Sequence, residues 1–248
     1  MNVLIVLAHP ERQSFNGALA DVAAATLKEQ GHQVLLDDLY GEGFDPVERP
    51  GFYPHRDKAT FAPLTEQRRH HESGGLPEEV TREIQRLEWA DLLILQFPLW
   101  WHAQPAILKG WFDRVLVYGG LYTGQRRYNR GHFRGRRAIC SVTAGSPEKA
   151  FMPFGRAGNM AEWLWPIHSS LYYVGYDVLP PEVNYGVQGG GIQYQDESGF
   201  REQLEQSKVD WEQRLTGLQT ETAIPFTGWE DWDGQGVIGR RNPQRWRL

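Results

Sequence analysis

The stretch DLLILQFPLWWHAQPAILKGWFDRV, residues 91–115, decides the fold class. Leu92–Phe97 is a continuous apolar run, as expected of a strand covered on both faces. Residues 106–117 read as a helix. Between them stand Pro98, Leu99, Trp100, Trp101, His102 and a second proline, Pro105. A buried strand that passes through a short loop into a helix is one βα unit of a parallel sheet.

The pattern recurs in both directions. Val3–Leu7 is a second continuous apolar run, followed by the loop AHPERQ and a helix expected from Ser14 to Gln30. Ser14 suits an N-cap, Leu19, Val22, Ala23, Thr26 and Leu27 form one apolar face, and Gly31 ends the helix. Val34–Leu36 begins the next strand. Helices are expected over 79–89, over 158–173 with a kink at Pro166, and over 200–218. Strands are expected at Arg137–Val142 and within Val178–Val187. Five strands alternating with helices predict an α/β, doubly wound, five-stranded parallel sheet with right-handed crossovers. Residues 1–218 form one domain on this reading, and 219–248 are a C-terminal extension whose Trp229, Trp232 and Trp246 the pattern does not place. Residues 41–77 show no clear period and read as an excursion over the surface.

Composition removes several function classes. The net charge of −5 argues against nucleic-acid binding by the chain as a whole. The single cysteine, Cys140, rules out an internal disulfide and a cysteine-based zinc cluster, and its apolar run AICSV suits an inert core thiol. No run approaches the roughly 20 apolar residues of a membrane helix. The first residues lack the charged region and cleavage site of a signal peptide. A cytoplasmic protein without membrane insertion is expected. Ten tryptophans suit flat apolar ligands or a subunit interface.

Ligands of such sheets bind beyond the carboxyl ends of the strands, where strand order reverses. Three loops are therefore informative. The first contains neither the glycine pattern of a dinucleotide site nor a P-loop. It offers His9, Arg12, Gln13 and Ser14 at a helix start, which suits a phosphate or pyrophosphate, or simply an N-cap beside a solvated charge. In the second, Pro98, Leu99, Trp100 and Trp101 make a stiff apolar turn that can cover a heterocycle, or can serve packing alone. The third, Thr143-Ala-Gly-Ser146, lets a planar ligand approach the backbone. Jointly the loops fit a ligand with a phosphate end and a flat, polar-edged ring, and flavin has both.

The segments AHPERQSFNGAL (8–19), 91–115, YTGQRRYNRGHFRGRRA (122–138) and the M-x-x-x-L-W-P-I pattern at Met160–Ile167 resemble the flavodoxin-like NAD(P)H:quinone oxidoreductases of the DT-diaphorase type. The resemblance runs in order from about residue 2 to 215. It implies a sheet of order 2-1-3-4-5, bound FAD, NAD(P)H as co-substrate, a quinone-like acceptor, and a homodimer with shared active sites. His9, Phe15 and Asn16 match positions that hold the pyrophosphate and adenosine. Pro98, Leu99, Trp100, Trp101 and His102, with Thr143, Ala144, Gly145 and Ser146, match the flavin cradle. Trp101, His102, Tyr122 and Tyr173 match the substrate pocket, and Tyr122 would serve the partner's site.

The departures are specific. A tyrosine and a histidine that steady the reduced flavin in diaphorase-type relatives correspond to Phe151 and Ala157. A pocket tyrosine corresponds to Gly124 and a pocket phenylalanine to His102. His102 and Arg156 are therefore candidates for the missing charge-stabilising role. No histidine or cysteine cluster has metal-ligand spacing, so no metal is expected, and His70-His71 read as solvated. Residues 126–137 hold six arginines and no acid, a solvated loop or a lure for the 2′-phosphate of NADPH or an acidic partner. Three functions remain open: an FAD-dependent two-electron reductase, a flavin-binding ancillary subunit, and an FMN-dependent azo- or nitro-type reductase.

Overall fold

The computed structural model describes residues 1–56, 58–189 and 191–238. Trp246 lies outside them. The strands are β1 (Asn2–Leu7), β2 (Gln33–Asp38), β3 (Leu92–Pro98), β4 (Arg137–Thr143), β5 (Asp177–Val178) and β6 (Glu182–Asn184). All pairings are parallel, in the order β2-β1-β3-β4-β5, with β6 also on β4. The expected order holds. The fifth strand is broken into β5 and β6 because Pro180 and Pro181 bring no N–H to the ladder. Arg214 takes up the freed carbonyls, donating to Pro180 O at 2.6 Å and Pro181 O at 3.0 Å.

The helices are α1 (Phe15–Glu29), α2 (Pro63–Ser73), α3 (Glu78–Trp89), α4 (Ala106–Val115), α5 (Met160–Tyr173) and α6 (Glu197–Leu215). Strand alternation divides the core into two layers. Val3, Ile5, Leu7 and Ile94 pack with Leu19, Ala23 and Leu27 of α1 and Trp211 and Leu215 of α6. Leu4, Val6, Leu93 and Leu95 face the other way, onto Ile84 and Leu87 of α3, Leu108 and Trp111 of α4, and Leu164 and Ile167 of α5. Cys140 is buried in this second layer, and burial pushes its thiol pKa up, in keeping with an inert core residue.

The 41–77 segment is more ordered than its sequence pattern suggests. It contains α2, whose weak apolar face escapes a periodicity reading, and it is fastened from within. His70, expected in solvent, is buried: its Nδ1 lies 2.9 Å from Glu66 O and its Nε2 3.1 Å from Pro54 O. Gln67 donates to Glu48 at 2.9 Å and to Asp113 O at 3.0 Å, while Arg114 of α4 stacks on Phe52 at 4.1 Å. Gly110 permits the close contact that seats this segment on α4, because a Cβ there would lie 2.1 Å from Pro46 O.

The C-terminal segment also packs onto the domain. Ile224 N donates to Val178 O at 2.8 Å, and Phe226 stacks on Tyr172 at 4.4 Å. Among the described residues no helix is long and apolar enough to cross a membrane.

Candidate active site

The carboxyl ends of β1, β3 and β4 border a cavity of about 720 Å³. Its wall includes His9, Phe15 and Asn16 from the first loop and α1, and Pro98 to His102 from the second loop. Thr143, Ala144, Gly145 and Ser146 complete it. The parallel register explains the convergence: Pro98 lies beside Thr143, and Leu7 beside Gln96.

A buried polar chain ties the three loops together. Gln96 Nε2 donates to Asn16 Oδ1 at 3.0 Å, and Asn16 Nδ2 donates to Thr143 Oγ1 at 2.9 Å. Sequence reading did not single out Gln96, a polar residue in an otherwise apolar strand. Its Oε1 is buried with no hydrogen-bond partner among the described residues. Ser14 caps α1 by accepting from Gly17 N at 3.2 Å. The remaining first-turn amides of such a helix need an acceptor, and an anion meets that need.

The second loop is a tight turn rather than an extended segment. Trp100 and Ala103 exchange backbone hydrogen bonds at 2.9 and 3.0 Å, and Trp101 and His102 both adopt left-handed conformations, φ 50° and 60°. Strained left-handed residues need support from their surroundings. His102 has it, its ring 4.4 Å from that of Trp163. Trp100 lies 6.0 Å from His9. Trp101 is 95% exposed.

Space for a flat ring exists over the third loop. A Cβ built on Gly145 would meet only Val187 O, at 3.8 Å, and one on Gly189 would meet nothing within 4 Å. Phe151 lines the same cavity and packs on Tyr185 at 5.6 Å. The residues present therefore fit a flavin: a helix start for its phosphates, an open glycine floor and an aromatic turn. Arg156 departs from expectation. It is exposed and not among the residues lining the cavity.

Tyr122 and Tyr173 do not share this cavity. They pack edge to face at 5.5 Å on a second one of about 750 Å³, with Tyr128, Tyr172, Trp229 and Trp232. The tail tryptophans are placed by local contacts: Trp229 Nε1 donates to Arg127 O at 3.0 Å, and Trp232 meets Tyr128 at 4.7 Å.

Much of the basic stretch 126–137 is engaged internally. Arg126 donates to Gly120 O, Arg137 to Gln219 O and Glu221 O, and Arg130 pairs with Glu230 at 2.8 Å. Arg136 caps α3 through the carbonyls of Leu87, Glu88 and Ala90. An acidic cluster that sequence spacing did not reveal joins Asp37, Glu42 and Glu83. Burial and Glu83 push the Asp37 pKa up to about 9, although Arg86 lies 2.9 Å away and opposes the shift.

Comparison with known proteins agrees with this geometry. A family model described as flavodoxin-like fold matches residues 1–214. NAD(P)H dehydrogenase (quinone) 1 of Cavia porcellus is 36% identical over 226 residues, 90% of this chain and 79% of that protein. The human ribosyldihydronicotinamide dehydrogenase (quinone) is 34% identical over 91% of this chain and 95% of its own length. A solved structure of a candidate quinone reductase from Klebsiella pneumoniae superposes with a TM-score of 0.87 at 30% identity, covering 100% of this chain and 99% of that one. With its strand order, its loop convergence and these relatives, the chain belongs to the flavodoxin-like family and, within it, to the NAD(P)H:quinone oxidoreductases.

Proposed function

We propose that the chain is a flavin-dependent two-electron reductase, with FAD as its cofactor, NAD(P)H as donor and a quinone or related aromatic compound as acceptor. The observation that carries this reading is the convergence of the α1 start, the Pro98–His102 turn and the Thr143–Ser146 loop on one cavity. A bound flavin would accept hydride from NAD(P)H and pass both electrons to the acceptor, the two ligands using the same space in turn.

The protein's part is to bind and orient. The α1 start, with His9, Phe15 and Asn16, would take the pyrophosphate and adenosine, which makes FAD the better fit than FMN. Leu99, Trp100 and the 143–146 backbone would flank the ring. Trp101 and His102 would stand where ring and acceptor meet, and His102 is the candidate for holding a proton or charge there. Phe151 and Ala157 give no such donor. A homodimer belongs to this reading, supported by the exposed Trp101 and by the separate placement of Tyr122 and Tyr173. A second copy would cover the first and bring the tyrosine-lined cavity over the flavin.

Purified protein should be yellow, should release FAD on heating, and should oxidise NADH or NADPH rapidly when a benzoquinone is present. A flavin-loaded protein no faster than free flavin would favour the ancillary-subunit reading, for which the apolar Phe151 speaks. Release of FMN alone would favour the azo- or nitro-type reductase.

A further inference from the structure

We propose that the second cavity selects acceptors carrying an anionic group, a carboxylate or sulfonate on an aromatic ring, and that Arg127 backed by the Tyr173 hydroxyl reads that group. The inference deepens the quinone-reductase reading and rests on it for the claim that acceptors reach this cavity.

Arg127 sits on the wall of the cavity in an aromatic cage. Its guanidinium carbon lies 5.4 Å from the Tyr128 ring centre, 5.6 Å from Tyr173 and 5.2 Å from Trp229. Nη1 donates to the Tyr173 hydroxyl at 3.1 Å. Its own carbonyl accepts from Trp229 Nε1 at 3.0 Å, which fixes the backbone beneath the side chain. The next residue, Tyr128, is left-handed at φ 58°, a conformation a bulky side chain keeps only where its surroundings hold it.

The cage holds no counter-ion among the described residues. Among the described residues, the other arginines of this stretch that reach a partner use backbone carbonyls, Glu88 or Glu230, but Arg127 touches only a neutral hydroxyl and aromatic faces. The two remaining charged residues on the wall, Lys109 and Asp113, pair with each other at 2.5 Å. Among the described wall residues the cavity therefore carries one unbalanced positive charge. The guanidinium is half-buried, and the Tyr173 hydroxyl and the aromatic faces favour its charged form without neutralising it. An anion on the ligand would complete the balance, and Arg presents a planar fork suited to carboxylate or sulfonate. The aromatic walls would hold the ring that bears it.

The phosphate of the nicotinamide co-substrate offers similar chemistry, so the test separates the two sources. Binding of 2-naphthoate and of neutral 2-naphthylmethanol to the purified full-length protein is measured by calorimetry, for the natural chain, Arg127→Gln and Arg127→Lys. The natural chain should prefer naphthoate by about tenfold or more, Arg127→Gln should fall to within about twofold, and Arg127→Lys should keep part of the preference. If Arg127→Gln does not fold, Tyr173→Phe keeps the ring and should lose about threefold of the preference. KM values for NADPH and NADH should stay in the same ratio. An unchanged naphthoate preference in Arg127→Gln, or a selective rise in the NADPH KM with that preference intact, overturns the proposal. Reduction of an uncharged benzoquinone reports separately on the reductase reading, since its absence would sink that reading whatever naphthoate does.

Discussion

The cavity at the strand ends and the cavity behind Tyr173 enclose similar volumes, about 720 and 750 Å³, but are built by opposite means. The first is made where three neighbouring strands stop. Its geometry is set by parallel register and by a short buried chain, Gln96 to Asn16 to Thr143. The second is assembled from segments far apart in sequence: the 118–130 loop, α5 and the C-terminal segment meet through aromatic faces. Strand ends offer backbone amides and a fixed platform, suited to a resident cofactor. Aromatic faces supply area and adapt to rings of different shape, which suits a site that receives varied acceptors.

Substitutions can break this contrast. The largest effect is expected at Asn16→Leu, which leaves Gln96 Nε2 without its acceptor inside the fold. It should cost about 2–4 kcal/mol in urea unfolding and abolish flavin retention, without altering the second cavity. A loss below about 1 kcal/mol would show that the polar chain does not hold the first cavity together.

Next in size is an acid effect on the buried side of α5. His168 is buried with Nε2 unpartnered among the described residues, and burial lowers its pKa from 6.5 to about 4. The unfolded chain takes up a proton near pH 6.5 while the folded chain resists until about pH 4. Stability is therefore full above the unfolded value and falls as pH drops between the two, by about 3 kcal/mol in total. His168→Leu should flatten that part of the unfolding profile, and an unchanged slope would contradict the assignment.

Trp101→Ala should weaken flavin binding about tenfold, yet leave the melting temperature of the flavin-free chain unchanged, because the residue is 95% exposed. The smallest effect is expected at Trp229→Ala. It should raise the acceptor KM about three- to fivefold with flavin content unchanged. Loss of flavin in that variant would mean that the two cavities are not separable.

The same contrast accounts for what could be read in the sequence. Buried parallel strands appear as apolar runs, so β1, β3 and β4 and the loops after them stand out, with the ordering of residues along the first cavity. The break between β5 and β6 was foreshadowed by Pro180-Pro181 but masked by the apolar residues around it. Helix α2 was hidden because its buried side is polar: Glu66, Gln67 and His70 bury through hydrogen bonds, which hydropathy does not register. The turn after β3 is legible from Pro98, but the left-handed backbone at Trp101 and His102 is not, since no glycine marks it. Only the Trp100–Ala103 hydrogen bonds reveal it. Arg156 looked suitable because it is a cation close in sequence to the fourth strand, but nearness in sequence left it on the surface. Tyr122 and Tyr173 carried a pocket signature by resemblance, whereas Trp229 and Trp232 had none, since long-range aromatic contacts leave no local period.

The central claim is that the strand-end cavity holds FAD and that a second copy completes the site. Light scattering with flavin absorbance on the purified full-length protein tests both parts at once. A particle of twice the 28.5 kDa chain mass, carrying about one FAD per chain, is expected. A colourless monomer that takes up neither FAD nor FMN would contradict it.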